Sequence, residues 1–255
     1  MKVAITRAVS PRIAECELTW RAREPIDARR AAAEHEEYEA KLTAHGWTVV
    51  RAEEAPEHPD GVFVEDAAVV LDEIAVLARP GAASRRGEIE SIARLLASRR
   101  PLARIEPPAT LDGGDVFRLG RTLHVGVGGR TNRAGATSLR ELVAPFGYSV
   151  VETAFTGCLH LKSAATPLGE RLLLLDPACV DPRAFDATAI EIEIDPEEPS
   201  GANALLLGPG ALLLPASAPR TRARLVTLGF TVETIDLAEM EKAEAGVTCC
   251  SILVE

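Results

Sequence analysis

A composite pattern recurs along this chain about every 45 residues. It runs polar cluster, apolar strand, tight turn, second apolar strand, Pro- or Arg-rich break, amphipathic helix and a further strand. The first clear copy is Val64-Glu65-Asp66, strand 67–71, the turn Asp72-Glu73, strand 74–78, Arg79-Pro80-Gly81 and a helical stretch over 88–98. The second is Leu111-Asp112-Gly113-Gly114-Asp115, Val116–Leu119, Gly120-Arg121, strand 122–127 and a helix from Asn132 toward Phe146. The third runs from His160-Leu161-Lys162-Ser163 through Pro167-Leu168-Gly169 to Leu172–Leu175. The fourth is Gly201-Ala202-Asn203, strand 204–207, Gly208-Pro209-Gly210, strand 211–214 and a helix near 220–228. In the fifth, Cys249-Cys250-Ser251 leads into Ile252–Val254, and the opening strand Val3–Thr6 can complete that module.

The markers Asp66, Asp115, Ser163, Asn203 and Ser251 are 49, 48, 40 and 48 residues apart. Short Gly, Pro or acidic turns join the strand pairs, as hairpins require. Strands rich in Val and Leu on both sides of the pleat must be covered on both faces, which places helices outside and strands inside. The expected architecture is a five-bladed pseudo-symmetric α/β propeller of strand-strand-helix-strand modules. It forms one domain over residues 1–255, a length that one domain accommodates. Closure brings the five polar clusters to one axial pocket. The competing architecture is an open α/β sheet whose repeat spacing is coincidental.

The formal net charge of −10 opposes binding to nucleic acid and favours a cationic small molecule. The N-terminal apolar stretch, interrupted by Thr6 and Arg7, is too short for a signal peptide. No segment approaches the roughly 20 apolar residues of a membrane helix, so a cytoplasmic protein without membrane contact is expected, as monomer or homodimer. Five cysteines, an odd number with no CxxC pair, point to reduced thiols. The five histidines show no metal-ligand spacing, and neither metal nor cofactor is expected. Residues 10–29, with Pro11, Pro25 and irregular charges, fit no module and read as a flap or surface loop.

Most cysteines in apolar surroundings are core residues. Cys249, however, opens the terminal strand at the pocket end. A thiol attacks only as thiolate, which needs a base or a nearby cation. His160, in the third cluster, faces the same axis and is the candidate proton shuttle, although a lone histidine is more often structural. Asp112, in the second cluster, is positioned to orient that imidazole or to contact substrate, or else serves only the turn before Gly113-Gly114. Glu65 and Asp66 are adjacent acids whose burial would be costly without a cation, and a guanidinium suits them; a solvated turn is the alternative. Arg85 and Arg130 follow second strands and could clamp a carboxylate, although surface arginines are abundant here.

These motifs resemble the dimethylarginine dimethylaminohydrolases of the guanidino-group-modifying superfamily. The matching strings are Pro59-Asp60-Gly61-Val62-Phe63-Val64-Glu65-Asp66, Arg79-Pro80-Gly81-Ala82-Ala83-Ser84-Arg85-Arg86, Leu111-Asp112-Gly113-Gly114-Asp115-Val116, Arg130-Thr131-Asn132, Leu159-His160-Leu161-Lys162-Ser163 and Thr248-Cys249-Cys250-Ser251, in the family's order. The resemblance implies the five-bladed propeller, with Cys249 as nucleophile, His160 as general acid/base and Asp112 as third catalytic carboxylate, a position where some members carry glutamate. It implies Asp66 and Glu65 at the guanidinium, Asp60 near the substrate's polar groups, Arg85 and Arg130 at the α-carboxylate, and Leu18 on a lid over substrate.

The implied reaction is hydrolysis of a guanidino amino acid, N-omega-methylated arginine foremost, to citrulline and methylamine or dimethylamine through a cysteine thiouronium intermediate. No cofactor is required; zinc binds some members only as an inhibitor. An arginine deiminase or amidinotransferase would share the nucleophile, but such chains are typically longer. A non-catalytic binding propeller would lack the Cys, His and acid set.

Overall fold

The repeated pattern folds into repeated sheets. The computed structural model describes residues 2–185 and 189–255. Among these residues, fifteen strands form five three-stranded sheets of one design, with a central strand antiparallel to one neighbour and parallel to the other. In one sheet β1 (Val3–Thr6) lies between β2 (Thr48–Arg51), reached across helix α1 (Ala28–Ala44), and the last strand β15 (Ile252–Val254). The next centres β4 (Ala75–Leu77) between β3 (Ala68–Val70) and β5 (Leu102–Arg104), with α2 (Ile89–Ala97) crossing. Then β7 (Thr122–Gly126) lies between β6 (Val116–Leu119) and β8 (Ser149–Thr153), with α3 (Arg133–Val143) crossing. In the fourth, β10 (Leu172–Leu175) separates β9 (Ala165–Pro167) from β11 (Ile190–Glu193). In the fifth, β13 (Ala211–Pro215) separates β12 (Leu205–Gly208) from β14 (Thr231–Ile235), with the helix Pro219–Thr227 crossing.

This is the α/β five-module propeller expected from the repeat. The pairing of β1 with β15 joins strands about 250 residues apart in one blade, so closure depends on a long-range contact. Central strands are apolar because both faces are covered: Ala75, Val76 and Leu77 are all buried. The α2 helix turns Ile89, Ile92, Ala93 and Leu96 inward, the i, i+3, i+4, i+7 stripe of an amphipathic helix. Each such Ile or Leu contributes about 2 kcal/mol by leaving water. Asn132 caps α3 by accepting the Gly135 N–H at 2.8 Å.

Two elements depart from the sequence pattern. The β10-to-β11 crossover contains no α-helix among the described residues, only the 3-10 turn Pro182–Ala184. Conversely, α1 forms where no module predicted a helix. Its buried face mixes Ala31, Tyr38 and Leu42 with Glu34, His35 and Glu39, so the apolar period is diluted. Those acids find distant partners: Glu34 accepts the backbone N–H of Glu239 and Met240, and Glu39 binds Thr6 and Arg51. No helix among the described residues is long and apolar enough to cross a membrane.

Each blade's innermost strand is preceded by a short turn carrying its polar cluster. Val64–Ala67 precedes β3, Gly113–Asp115 precedes β6, Leu161–Ala164 precedes β9 and Pro199–Ala202 lies just ahead of β12. Successive clusters are joined by hydrogen bonds around the axis. The Gly114 N–H donates to Asp66 Oδ1 (2.9 Å) and the Leu161 N–H to Asp115 Oδ1 (3.1 Å). Asn203 Nδ2 donates to the Lys162 carbonyl (3.1 Å), and the Thr248 N–H to Asn203 Oδ1 (3.0 Å). The Glu65 N–H donates to the Cys249 carbonyl (3.1 Å), completing the circuit. The repeat therefore fixes the positions of the functional side chains as well as the sheets.

Candidate active site

Cys249 and His160 line one cleft, together with Asp60, Asp66, Arg85 and Arg130. The six come from five stretches of chain that the propeller axis brings together. The cleft is nearly closed, with a volume of about 10 Å³. That is room for about one water, because a strap over residues 17–21 lies across the mouth. The Glu17 N–H donates to the Asp60 carboxylate at 3.2 Å, and Ser84 Oγ donates to Glu17 Oε1. On the other side Glu244, held at a left-handed φ of 61°, accepts the backbone N–H groups of Thr19, Trp20 and Arg21.

His160 is 5% exposed and lies between two carboxylates. Its Nε2 is 3.2 Å from Asp112 Oδ2, and its Nδ1 is 3.8 Å from Asp66 Oδ1. Burial pulls the imidazole pKa down, but Asp66, Asp115 and Asp112 outweigh it and lift the group to about 9. Asp66 shows the reciprocal effect: burial would raise it, while His160 and Arg85 hold it at about 2. Asp112 is fully buried, and its other oxygen accepts the Gly81 N–H at 2.9 Å. It stands behind the imidazole rather than in the cleft.

The Asp-Gly-Gly-Asp run is explained by this packing. A Cβ on Gly113 would lie 2.0 Å from the Glu65 carbonyl oxygen, and one on Gly114 would lie 2.7 Å from both Asp66 Oδ1 and His160 Nδ1. Only glycine lets the second cluster approach the first so closely.

Cys249 Sγ accepts the Gly246 N–H at 3.3 Å. Burial, then Glu65 and Asp66, push its pKa up to about 12, so the resting group is the neutral thiol. Burial likewise raises Asp60 to about 6. Arg85 is buried, with Nη1 on Asp66, Nε and Nη2 on Glu88, and Nη2 also on the Asp60 and Phe63 carbonyls. Arg130 keeps a looser contact, 3.7 Å from Asp112 Oδ2.

Besides Asp112, two sequence-predicted residues lie outside the cleft. Glu65 borders a second axial cavity, where Lys162 Nζ and Thr248 Oγ1 each donate to its carboxylate at 2.7 Å. Leu18 packs against the apolar cluster of Ile13, Cys16 and Tyr38. Sequence reasoning missed Glu88, Glu244 and Thr248. Glu88 stands three residues after Arg85 and Thr248 directly before Cys249, but neither position declares its partner. Asp66, Asp112 and His160 also bring ligand atoms within 4.8 Å of one another. The imidazolium itself supplies the positive charge between those two carboxylates.

No family model matches the chain. A relative from Streptomyces coelicolor, an N(G),N(G)-dimethylarginine dimethylaminohydrolase, is 42% identical over 98% of this chain and 96% of its own length. This chain belongs to the dimethylarginine dimethylaminohydrolase family. The Pseudomonas aeruginosa dimethylarginine dimethylaminohydrolase is 35% identical over 76% of each chain. A solved structure of that organism's enzyme, a cysteine-to-serine mutant complexed with citrulline, superposes with a TM-score of 0.91 at 29% identity and 98% coverage of both chains. The family's fold is therefore the fold of this chain, with its Cys, His and acid set at the axis.

Proposed function

We propose that this chain is a cysteine-dependent amidine hydrolase that converts N-omega-methylated arginine to citrulline and methylamine or dimethylamine. The observation that carries the reading is the shared cleft of Cys249 and His160, walled by Asp60, Asp66 and Arg130. Asp66 and Asp60 take the cationic guanidinium and the polar groups beside it, with Glu65 contributing negative potential from behind the cleft. Arg130 meets the substrate's α-carboxylate. Arg85, its donors taken by Asp66, Glu88 and two carbonyls, holds Asp66 in place. Leu18 backs the strap that closes over the substrate.

The chemistry follows from the charges. An arriving guanidinium brings a cation against Cys249, offsets Glu65 and Asp66, and lowers the thiol pKa toward neutrality. The Cys249 thiol releases its proton to solvent as the cation binds, since His160 is already protonated, and the thiolate adds to the guanidinium carbon. His160, protonated at neutral pH and held by Asp112, gives its Nδ1 proton to the departing amine as the C–N bond breaks. The S-alkylthiouronium left on Cys249 is attacked by water, whose proton His160 takes. Collapse releases the ureido product and restores the thiol.

The test is a substrate panel of arginine, monomethylarginine, dimethylarginine and other guanidino acids, assayed for ureido product and released amine. Methylated arginines should turn over in the wild type and not in Cys249→Ala. Equal turnover of every compound by both proteins would refute the cysteine mechanism, and turnover of free arginine alone would reassign the leaving group to ammonia.

A further inference from the structure

Beside the active-site cleft lies another cavity of about 260 Å³, distinct from the one Glu65 borders, whose lining includes Cys158 and Cys179 as well as Glu244 of the strap latch. The proposed hydrolysis uses neither cysteine. Both are free and partly exposed. Cys158 gives its S–H to the His160 carbonyl, and Cys179 gives its own to Asp176. The segments that carry them are locked to one another, with Phe155 bridging Val180 and the Thr156 N–H donating to the Cys179 carbonyl at 2.9 Å. Between them Gly157 turns at a φ of 76°, and a Cβ there would come within 3.5 Å of Cys179 Sγ, so no side chain stands in the way.

We infer that Cys158 and Cys179 form a redox modification site, a dithiol that a low-molecular-weight disulfide converts to a cross-link which impairs His160. The link to His160 is short. Cys158 Sγ lies 3.4 Å from the His160 carbonyl oxygen as its hydrogen-bond donor, two residues away in the chain. Oxidation removes that donor and ties the 156–160 segment to the turn after β10.

The exchange balances in two steps. Cys179, whose S–H donates to the Asp176 carboxylate at 3.5 Å, gives up that proton, attacks the oxidant's disulfide and expels one thiolate. Cys158 then attacks the Cys179 sulfur of the mixed disulfide and expels the second. The two protein thiols lose two electrons and two protons, and the oxidant leaves as two thiols. Burial and the neighbouring acids raise both thiols above the ordinary cysteine range, which slows the first step and disfavours a lasting thiolate. A neutral disulfide has no such cost.

The site is tested first without reference to activity. Cys249→Ser protein is incubated with oxidised glutathione, digested without reduction and mapped by mass spectrometry. A Cys158–Cys179 cross-link is expected. Glutathione retained on one cysteine, a cross-link through Cys16 or Cys250, or no change overturns the assignment, whatever the substrate proves to be. Activity is then followed in otherwise wild-type protein. Oxidised glutathione should lower kcat/KM by tenfold or more, as expected on the order of magnitude for a displaced catalytic group, with recovery in dithiothreitol. Cys179→Ser should be insensitive. If Cys179→Ser loses activity as the wild type does, or the cross-linked wild type keeps full activity, the coupling to His160 is wrong.

Discussion

The Nε2 nitrogen of His160 lies 3.2 Å from Oδ2 of Asp112, whose second oxygen is fixed by the Gly81 N–H. A fully buried carboxylate so anchored orients the ring and holds a proton on it. Asp112→Asn should therefore fold and bind substrate, but lower kcat/KM on the order of a hundredfold, the lower end of general acid–base contributions. The basic limb of its pH–rate profile should move to lower pH, because the imidazolium has lost one of its counter-charges. A profile unchanged in shape would remove Asp112 from the proton-transfer set.

The same charges make a prediction about stability. His160 titrates at about 9 in the folded protein against 6.5 for the free group. A raised pKa contributes stability that is complete below the unfolded value and is lost as pH rises through the folded value. The wild-type unfolding midpoint should thus fall, relative to His160→Gln, between pH 6.5 and about 9. Parallel curves from calorimetry across that window would show that the imidazole is not held charged.

The blade architecture was legible because burial on both faces forces an apolar run, and a period survives wherever each repeat must present its cluster to the axis. Val116–Leu119, Leu172–Leu175 and Ile252–Val254 fall where the pattern put them. What the pattern could not carry is pairing between side chains distant in sequence. The α1 helix escaped notice because Glu34, His35 and Glu39 occupy buried positions that a helix settling its polar groups locally would fill with apolar residues. Glu65 and Asp66 are adjacent and chemically alike, yet a 3-10 turn sends one to Lys162 and Thr248 and the other to His160 and Arg85. Spacing alone treats them as a pair.

Gly114 tests how tightly that divergence is built. A methyl group at this position would contact Asp66 Oδ1 and His160 Nδ1 at 2.7 Å, and neither can retreat from its other partners. Gly114→Ala should cost about 1–3 kcal/mol of stability, as overpacking usually does, and lower activity more than an equally destabilising change such as Leu96→Val in α2. Wild-type activity with a lowered midpoint would mean that the cluster relaxes freely.

The latch at Glu244 separates closure from chemistry. Its carboxylate accepts three consecutive N–H groups of the strap, and hydrogen bonds to a charged acceptor contribute roughly 1.5–3 kcal/mol each. Glu244→Gln keeps the size but removes the charge, so the strap should open more often and hold substrate less well. KM should rise about tenfold, equivalent to about 1.4 kcal/mol of lost binding, while kcat changes little. Trp20, exposed at the strap, provides a second reading: its emission and the rate of proteolytic cleavage within residues 17–25 should both change in the variant. Saturating substrate should restore protection, since the ligand binds the closed form preferentially. A fall in kcat with an unaltered KM would place Glu244 in the chemistry instead of in the latch.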